Sequence, residues 1–170
     1  MISVSLMTFA ASALLTALSS SVQVSTDSLH TAIANGLADQ LMDEIALVKF
    51  PTGSGSGSSS NRSGFTDLDS YNGYNASPPQ ARNGQLIGAD TSSASTSRPQ
   101  GFQPDPRLLS RYRQQVTVEK VAESGNTWVT VSNSSTLRRV TVTISYTNAQ
   151  GTTTPLAVQV RVFSNVAVAP

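Results

Sequence analysis

The stretch LHTAIANGLADQLMDEIALVKF, residues 29–50, decides the fold expected for this chain. Its large apolar residues recur at helical spacing and therefore share one face of an α-helix, while the acidic residues lie off that face. The apolar positions are Leu29, Ile33, Leu37, Leu41, Ile45 and Val48. Phe50 and Pro51 end the pattern, because proline cannot continue a helix. The stretch therefore predicts an amphipathic helix with one face to bury.

No helix breaker separates this stretch from the chain before it. In residues 1–18, thirteen side chains are apolar and the others are Ser or Thr; the first charged residue is Asp27. We therefore predict one helix of nearly fifty residues, about 70 Å long, with an apolar half over residues 1–26 and an amphipathic half over residues 27–50. A helix that is apolar all round needs lipid or other helices around it.

Small hydroxyl residues form a second stripe in the apolar half. Thr8, Ser12, Thr16 and Ser20 recur every four residues, and each hydroxyl can bond the carbonyl one turn back. Small residues at such spacing suit close packing between helices. The alternative for this segment is a cleaved secretory signal, since residues 13–20 are small, although the basic start of a signal is missing before Lys49.

The rest of the chain predicts a loop region and a sheet. Residues 51–107 are rich in Gly, Ser and Pro, whereas residues 108–164 alternate apolar and polar side chains as half-buried antiparallel strands do. We expect three strands, with residues 128–131 as a possible fourth, and residues 165–170 as a tail. The strand residues expected to pack under the helix are Val140, Val142, Ile144, Val158 and Val160. The predicted fold class is α+β, a long helix on a small sheet.

The composition limits the function. Charged residues make up 12% of the chain and the net charge is +1, so no overall charge favours nucleic acid as a partner. With no Cys and one His, thiol catalysis, Cys-based zinc sites and His-dependent triads are excluded. No general base follows a recognisable motif, so we expect neither an enzyme nor a cofactor. Asp67 and Asp69 are weak calcium candidates, and a turn stabilised by Asx hydrogen bonds is the competing interpretation.

Four segments carry a resemblance to type IV pilins and type II secretion pseudopilins, in particular to minor ones. Residues 1–18 resemble the interior of that family's amino-terminal helix, and ANGLADQLMDEIALVKF (34–50) resembles its exposed continuation. FTDLDSYNGYNASPPQ (65–80) resembles a segment of pilin-like proteins. LRRVTVTISYTNAQGTTTPLAVQVRVFS (137–164) is similar to the closing hairpin of minor members.

The resemblance implies a structural subunit of a pilus or a secretion pseudopilus. Such a subunit is held in the inner membrane by a single helix, with its carboxyl-terminal domain in the periplasm or in an extracellular filament. Its implied partners are other pilin or pseudopilin subunits, the inner-membrane assembly platform and membrane lipid. The implied contacts between helices are Leu6, Phe9, Leu14 and Leu18.

The family's leader, with its Gly before a Phe-Thr-Leu-like run and a Glu soon after, is not found in residues 1–26. Either Met1 is an internal start or the chain is a divergent or truncated member, so processing and methylation are assigned to no residue. The alternative function is an exported periplasmic or cell-surface β-rich binding module whose first residues are a cleaved signal peptide.

Overall fold

A computed structural model describes residues 2–51, 62–88 and 108–165, with the side chains of residues 2–6 and 8–10 outside that description. Helix α1 spans Ile2–Ala46, and the strands are β1 (Asn75–Ala76), β2 (Tyr112–Ser124), β3 (Thr127–Thr130), β4 (Leu137–Thr147) and β5 (Thr153–Ser164). Two short 3₁₀ helices, Arg62–Gly64 and Asp69–Tyr71, precede β1. The chain divides into two compact units, Met1–Ile33 and Ala34–Pro170.

The strands form one antiparallel sheet in the order β1-β2-β4-β5, with β3 paired to β2. The long β2–β4 register runs from Tyr112 opposite Tyr146 to Val121 opposite Leu137. The predicted fold, a long helix packed on a small antiparallel sheet, is thereby confirmed. The possible fourth strand exists as β3, and β1 adds a fifth strand of two residues.

The last turns of α1 cover one face of the sheet, called here the inner face. The helix residues buried there follow a spacing of three and four, as a packed helix face does. They are Ala34, Leu37, Ala38, Leu41, Met42 and Ile45. Leu37, Leu41 and Ile45 were predicted, as were Val140, Val142 and Ile144 on the sheet, and all six are buried. Ile33 is half-buried.

The predicted core is wrong at Leu29, which is 55% exposed. The predicted stripe repeats at every fourth residue, whereas an α-helix turns once in about 3.6 residues, so a four-residue repeat drifts around the axis. The buried face instead uses Ala34 and Ala38, whose small side chains give no apolar signal as strong as leucine. The helix also ends earlier than predicted, at Ala46, and the backbone of Lys49 forms an isolated parallel β-bridge with Asp67.

The core prediction is also wrong at Val158 and Val160 of β5, which are 56% and 55% exposed. Residues directly opposite each other in antiparallel strands share a face. Here Gln159 lies opposite Val142, and Arg161 lies opposite Val140. The inner face of β5 is therefore Ala157, Gln159 and Arg161, and its valines lie on the outer face.

Two acidic residues of α1 contact the polar inner-face residues of β5. The Gln159 side-chain amide donates a hydrogen bond to Asp39, and the Arg161 guanidinium lies 3.6 Å from an oxygen of Asp43. Both contacts lie at an exposed margin, where an ion pair contributes about 0–1 kcal/mol. The polar face of β5 therefore lies inward beside the acidic residues of α1, and its valines lie outward.

Candidate functional site

The apolar half of α1 offers the first candidate surface, which we call the exposed helix segment, residues 11–29. Every side chain in it is exposed, including the two predicted contact residues Leu14 (75%) and Leu18 (68%). Leu15, Val22 and Val24 add to the same apolar surface. The other two predicted contacts, Leu6 and Phe9, lie outside the described side chains.

Hydroxyl groups on this segment are satisfied within the helix. Thr16 donates to the carbonyl oxygen of Ser12 at 2.9 Å, and Ser19 and Thr26 donate in the same way four residues back. A satisfied hydroxyl costs little when another helix covers it. A shallow groove lies beside them, lined by Leu18, Ser19, Val22 and Gln23. The segment thus has exposed apolar side chains beside a shallow groove, and helices pack by fitting such ridges into grooves.

In the described part of the chain, no helix combines the length and the apolar character needed to cross a membrane.

A buried polar cluster around Arg62 is the most elaborate side-chain arrangement in the unit Ala34–Pro170. Arg62 is 2% exposed, and its Nε and Nη2 atoms donate to the two carboxylate oxygens of Glu44 at 3.0 and 2.9 Å. Its remaining N–H groups donate to the Tyr74 hydroxyl, to Gln114 Oε1 and to the Gln80 carbonyl. All five guanidinium donors are therefore engaged.

The other members of the cluster complete its hydrogen bonds and cover it. The Tyr71 hydroxyl donates to Glu44 Oε1 at 2.9 Å, and the Gln80 N–H donates to Gln114 Oε1 at 3.1 Å. Phe65 packs edge-on against the ring of Tyr71, with ring centroids 4.9 Å apart. The cluster joins α1, the segment 62–80 and β2, and its hydrogen bonds hold these three parts of the domain together.

Burial and neighbouring charges both act on the pKa values of Arg62, Tyr71 and Tyr74, and the net direction is upward for all three. Burial by itself lowers the pKa of the Arg62 guanidinium, but the Glu44 hydrogen bond and the nearby negative charge outweigh burial, and the net direction is upward. Burial, followed by the Glu44 charge, raises the pKa of Tyr71, and burial raises the pKa of Tyr74. Burial also raises the pKa of Tyr112 on β2 to about 12, with Tyr146 adding to the effect.

These tyrosines predict a loss of stability in alkali. A tyrosine whose folded pKa is raised ionises first in the unfolded chain, so its stabilising effect is complete below the unfolded value of 10.0 and is lost as the pH rises toward about 12. We expect the tyrosinate absorbance of Tyr71, Tyr74 and Tyr112 to appear together with unfolding in this range. Gradual ionisation near pH 10.0, with the fold intact, would contradict the burial of these hydroxyls.

Both calcium candidates accept hydrogen bonds from other residues in this conformation. Asp67 Oδ1 accepts hydrogen bonds from the Ser70 N–H and hydroxyl at 2.9 and 2.7 Å, which is the predicted Asx turn. Both Asp69 oxygens accept from Arg138, at 2.7 and 3.1 Å. The Arg138 guanidinium also lies 5.3 Å from the centre of the Phe50 ring. Within the described residues, His, Cys, Asp and Glu form no group of three that could hold a metal ion.

Sequence reasoning missed the Arg62 cluster. Arg62 follows a run of Gly and Ser that is typical of a flexible linker, and Glu44 lies off the apolar stripe. The only available signal was the spacing of Phe65, Tyr71 and Tyr74, three aromatic side chains in a chain that is only 6% aromatic. A group of aromatic residues so close to a lone arginine favours a packed layer over a loop.

Comparison with known proteins finds no matching family model, no matching curated protein and no matching solved structure.

Proposed function

We propose that this chain is a structural subunit of the minor pilin or pseudopilin type, which assembles through the amino-terminal half of α1. The single observation that carries the proposal is the exposed helix segment. Leu14, Leu15 and Leu18 are at least 68% exposed although each is a large apolar side chain. Side chains of this kind, contiguous along a helix, mark a surface that another apolar phase covers.

Two apolar surroundings suit the exposed helix segment, and the proposed mechanism uses both. The helix first holds the subunit in the inner membrane, with the sheet domain outside the cytoplasm. An assembly platform then moves the subunit into a filament whose core is a bundle of like helices. Lipid and a helix bundle are both apolar, so the transfer does not expose the segment to water.

The sheet domain would form the outer part of such a filament. Support comes from its construction: Ala34, Ala38 and Met42 hold the last turns of α1 on the sheet, and the Arg62 cluster fastens residues 62–80 to both. A domain built in this way keeps its shape while the helix exchanges partners. Its loops would contact neighbouring subunits or cargo.

Membrane fractionation of the full chain and of a variant lacking residues 1–26 tests the proposal. We expect the full chain in the membrane fraction and the shortened chain, monomeric, in the aqueous fraction, because the deletion removes most of the apolar surface. The matched comparison is Leu14→Lys with Leu18→Lys against Leu47→Lys, since Leu47 is also exposed, at 86%, but lies beyond the end of α1. Only the double variant should shift toward the aqueous fraction.

Recovery of the intact chain in the aqueous fraction without detergent would refute the proposal. Mass spectrometry of the mature protein distinguishes a filament subunit from the alternative, an exported binding module. An exported binding module with a cleaved signal would lack the first residues of the chain, whereas a filament subunit keeps residues 11–29.

A further inference from the structure

Strand β5 forms an open edge of the sheet. It pairs with β4 on one side and, within the described residues, with no strand on the other. The opposite margin of the sheet is made of short strands, because β2 pairs there with β1, of two residues, and with β3, of four residues. An open edge presents unpaired N–H and C=O groups, which bind another strand readily.

The outer face of β5 makes this edge apolar as well as open. Val158, Val160 and Val162 are 56%, 55% and 37% exposed, and they form a continuous β-branched stripe. Proteins usually protect such an edge with proline, bulges or several charges. Here Pro155 and the register shift lie at the start of the strand, and Arg161 is the only charged residue within it. Residues 157–164 pair in regular register with β4 and contain neither a proline nor a bulge.

We propose that β5 pairs antiparallel with β5 of a second copy of this chain, about a twofold axis at Val160. The register follows from the apolar stripe, since Val160 is the middle one of the exposed valines Val158, Val160 and Val162. Val160 then lies opposite its own equivalent, and Val158 lies opposite Val162 of the second copy. A twofold axis makes the contact self-complementary and closed, so it yields a pair and not a fibre.

The inner-face residues match in the same register. Ala157, a small residue, lies opposite Phe163 of the second copy, and Gln159 lies opposite Arg161 of the second copy. The two arginines therefore do not face each other, and each faces the margin where Gln159 binds Asp39. Because Gln159 is neutral, this register places no like charges directly opposite each other, which would be destabilising.

Gln159 also has an unsatisfied hydrogen-bond acceptor. Its Oε1 atom is buried and has no donor among the described residues. A buried acceptor without a donor is unfavourable, and natural proteins rarely leave one. Because this oxygen is covered by its own chain, Arg161 of the second copy can donate to it only if the Gln159 side chain turns outward.

The proposed pairing fixes the relative direction of the last turns of α1 in the two copies. Asp39 and Asp43 of α1 contact Gln159 and Arg161 of β5, so the last turns of α1 run in the same sense as β5. A twofold axis perpendicular to the sheet reverses both. In the proposed pair, the last turns of α1 of the two copies therefore run in opposite senses.

Disulfide trapping of the full chain in detergent tests the proposal, since the chain contains no cysteine of its own. We expect Val160→Cys to form a covalent dimer at least about tenfold faster than Val129→Cys, because pairing raises the effective thiol concentration. Val129, on β3, is the matched control because it is also an exposed strand valine. Facing residues of antiparallel strands have Cα atoms about 4.5–5.5 Å apart, within the range of a disulfide.

The register is tested by mixing two variants. Val158→Cys mixed with Val162→Cys should give a heterodimer quickly, whereas Val158→Cys alone should not, because the two substituted positions would lie about 13 Å apart along the strands. Adding Val160→Lys to both partners should reduce the heterodimer to the Val129→Cys level. Equal rates for Val160→Cys and Val129→Cys, or a heterodimer that persists with Val160→Lys, would overturn the proposal. These readouts do not depend on membrane binding.

Discussion

Replacement of Arg62 by alanine is expected to lower the free energy of unfolding by about 3–5 kcal/mol, because it leaves the Glu44 carboxylate largely buried without its partner. Glu44 lies 2.9 Å from the guanidinium, and only 14% of its side chain is exposed. The variant also removes the N–H groups that donate to the Tyr74 hydroxyl, to Gln114 Oε1 and to the Gln80 carbonyl. Chemical denaturation followed by circular dichroism measures the loss.

The matched control is Arg139→Ala. Arg139 also donates two hydrogen bonds to one carboxylate, that of Glu119, but these side chains are 28% and 33% exposed. A pair of this exposure contributes about 0–1 kcal/mol. Equal losses of stability in the two alanine variants would mean that the buried Arg62–Glu44 pair stabilises the domain no more than the exposed Arg139–Glu119 pair does.

Replacement of Leu41 by alanine is expected to cost about 2–5 kcal/mol, since the change leaves a cavity between α1 and the sheet. Leu41 is 1% exposed and lies among the buried residues of the last helical turns. Leu29→Ala is the paired measurement, because the sequence pattern placed both leucines on one stripe while the structure exposes 55% of Leu29. An exposed substitution of this kind changes stability by no more than about 0.5 kcal/mol.

The Leu29 variant keeps helix propensity constant, since leucine and alanine are both good helix formers. The difference between the two variants therefore reports burial on the sheet. A large loss from Leu29→Ala in detergent, equal to that from Leu41→Ala, would mean that the buried face extends further toward the amino terminus than residue 34.

The helix and the central strands were predictable because their signals are local. Leu37, Leu41 and Ile45 repeat at helical spacing, and Val140, Val142 and Ile144 alternate along a strand that is buried on one face. These patterns work where one side of an element meets the core and the other meets water. The burial of such positions can be predicted without knowing which element packs against them.

The orientation of β5 was not predictable in this way. Its alternation of valine with Gln159 and Arg161 predicts that the valines are inside, and the structure places them outside. The polar contacts of its inner face come from Asp39 and Asp43, more than a hundred residues away in the sequence. A period of two identifies a strand but does not say which of its faces a distant helix will cover.

By itself, the sequence determined the long helix, the antiparallel sheet and the uncharged amino-terminal half, since each follows from the composition or spacing of neighbouring residues. The tertiary structure alone decided the inner face of β5, the partners of Arg62 and the use of Asp69 as the counterion of Arg138. The polar contacts of β5 lie at an exposed margin, whereas the partners of Arg62 and Arg138 meet where water is largely excluded. There the free energy of an unpaired charge outweighs the preference of any single strand or loop.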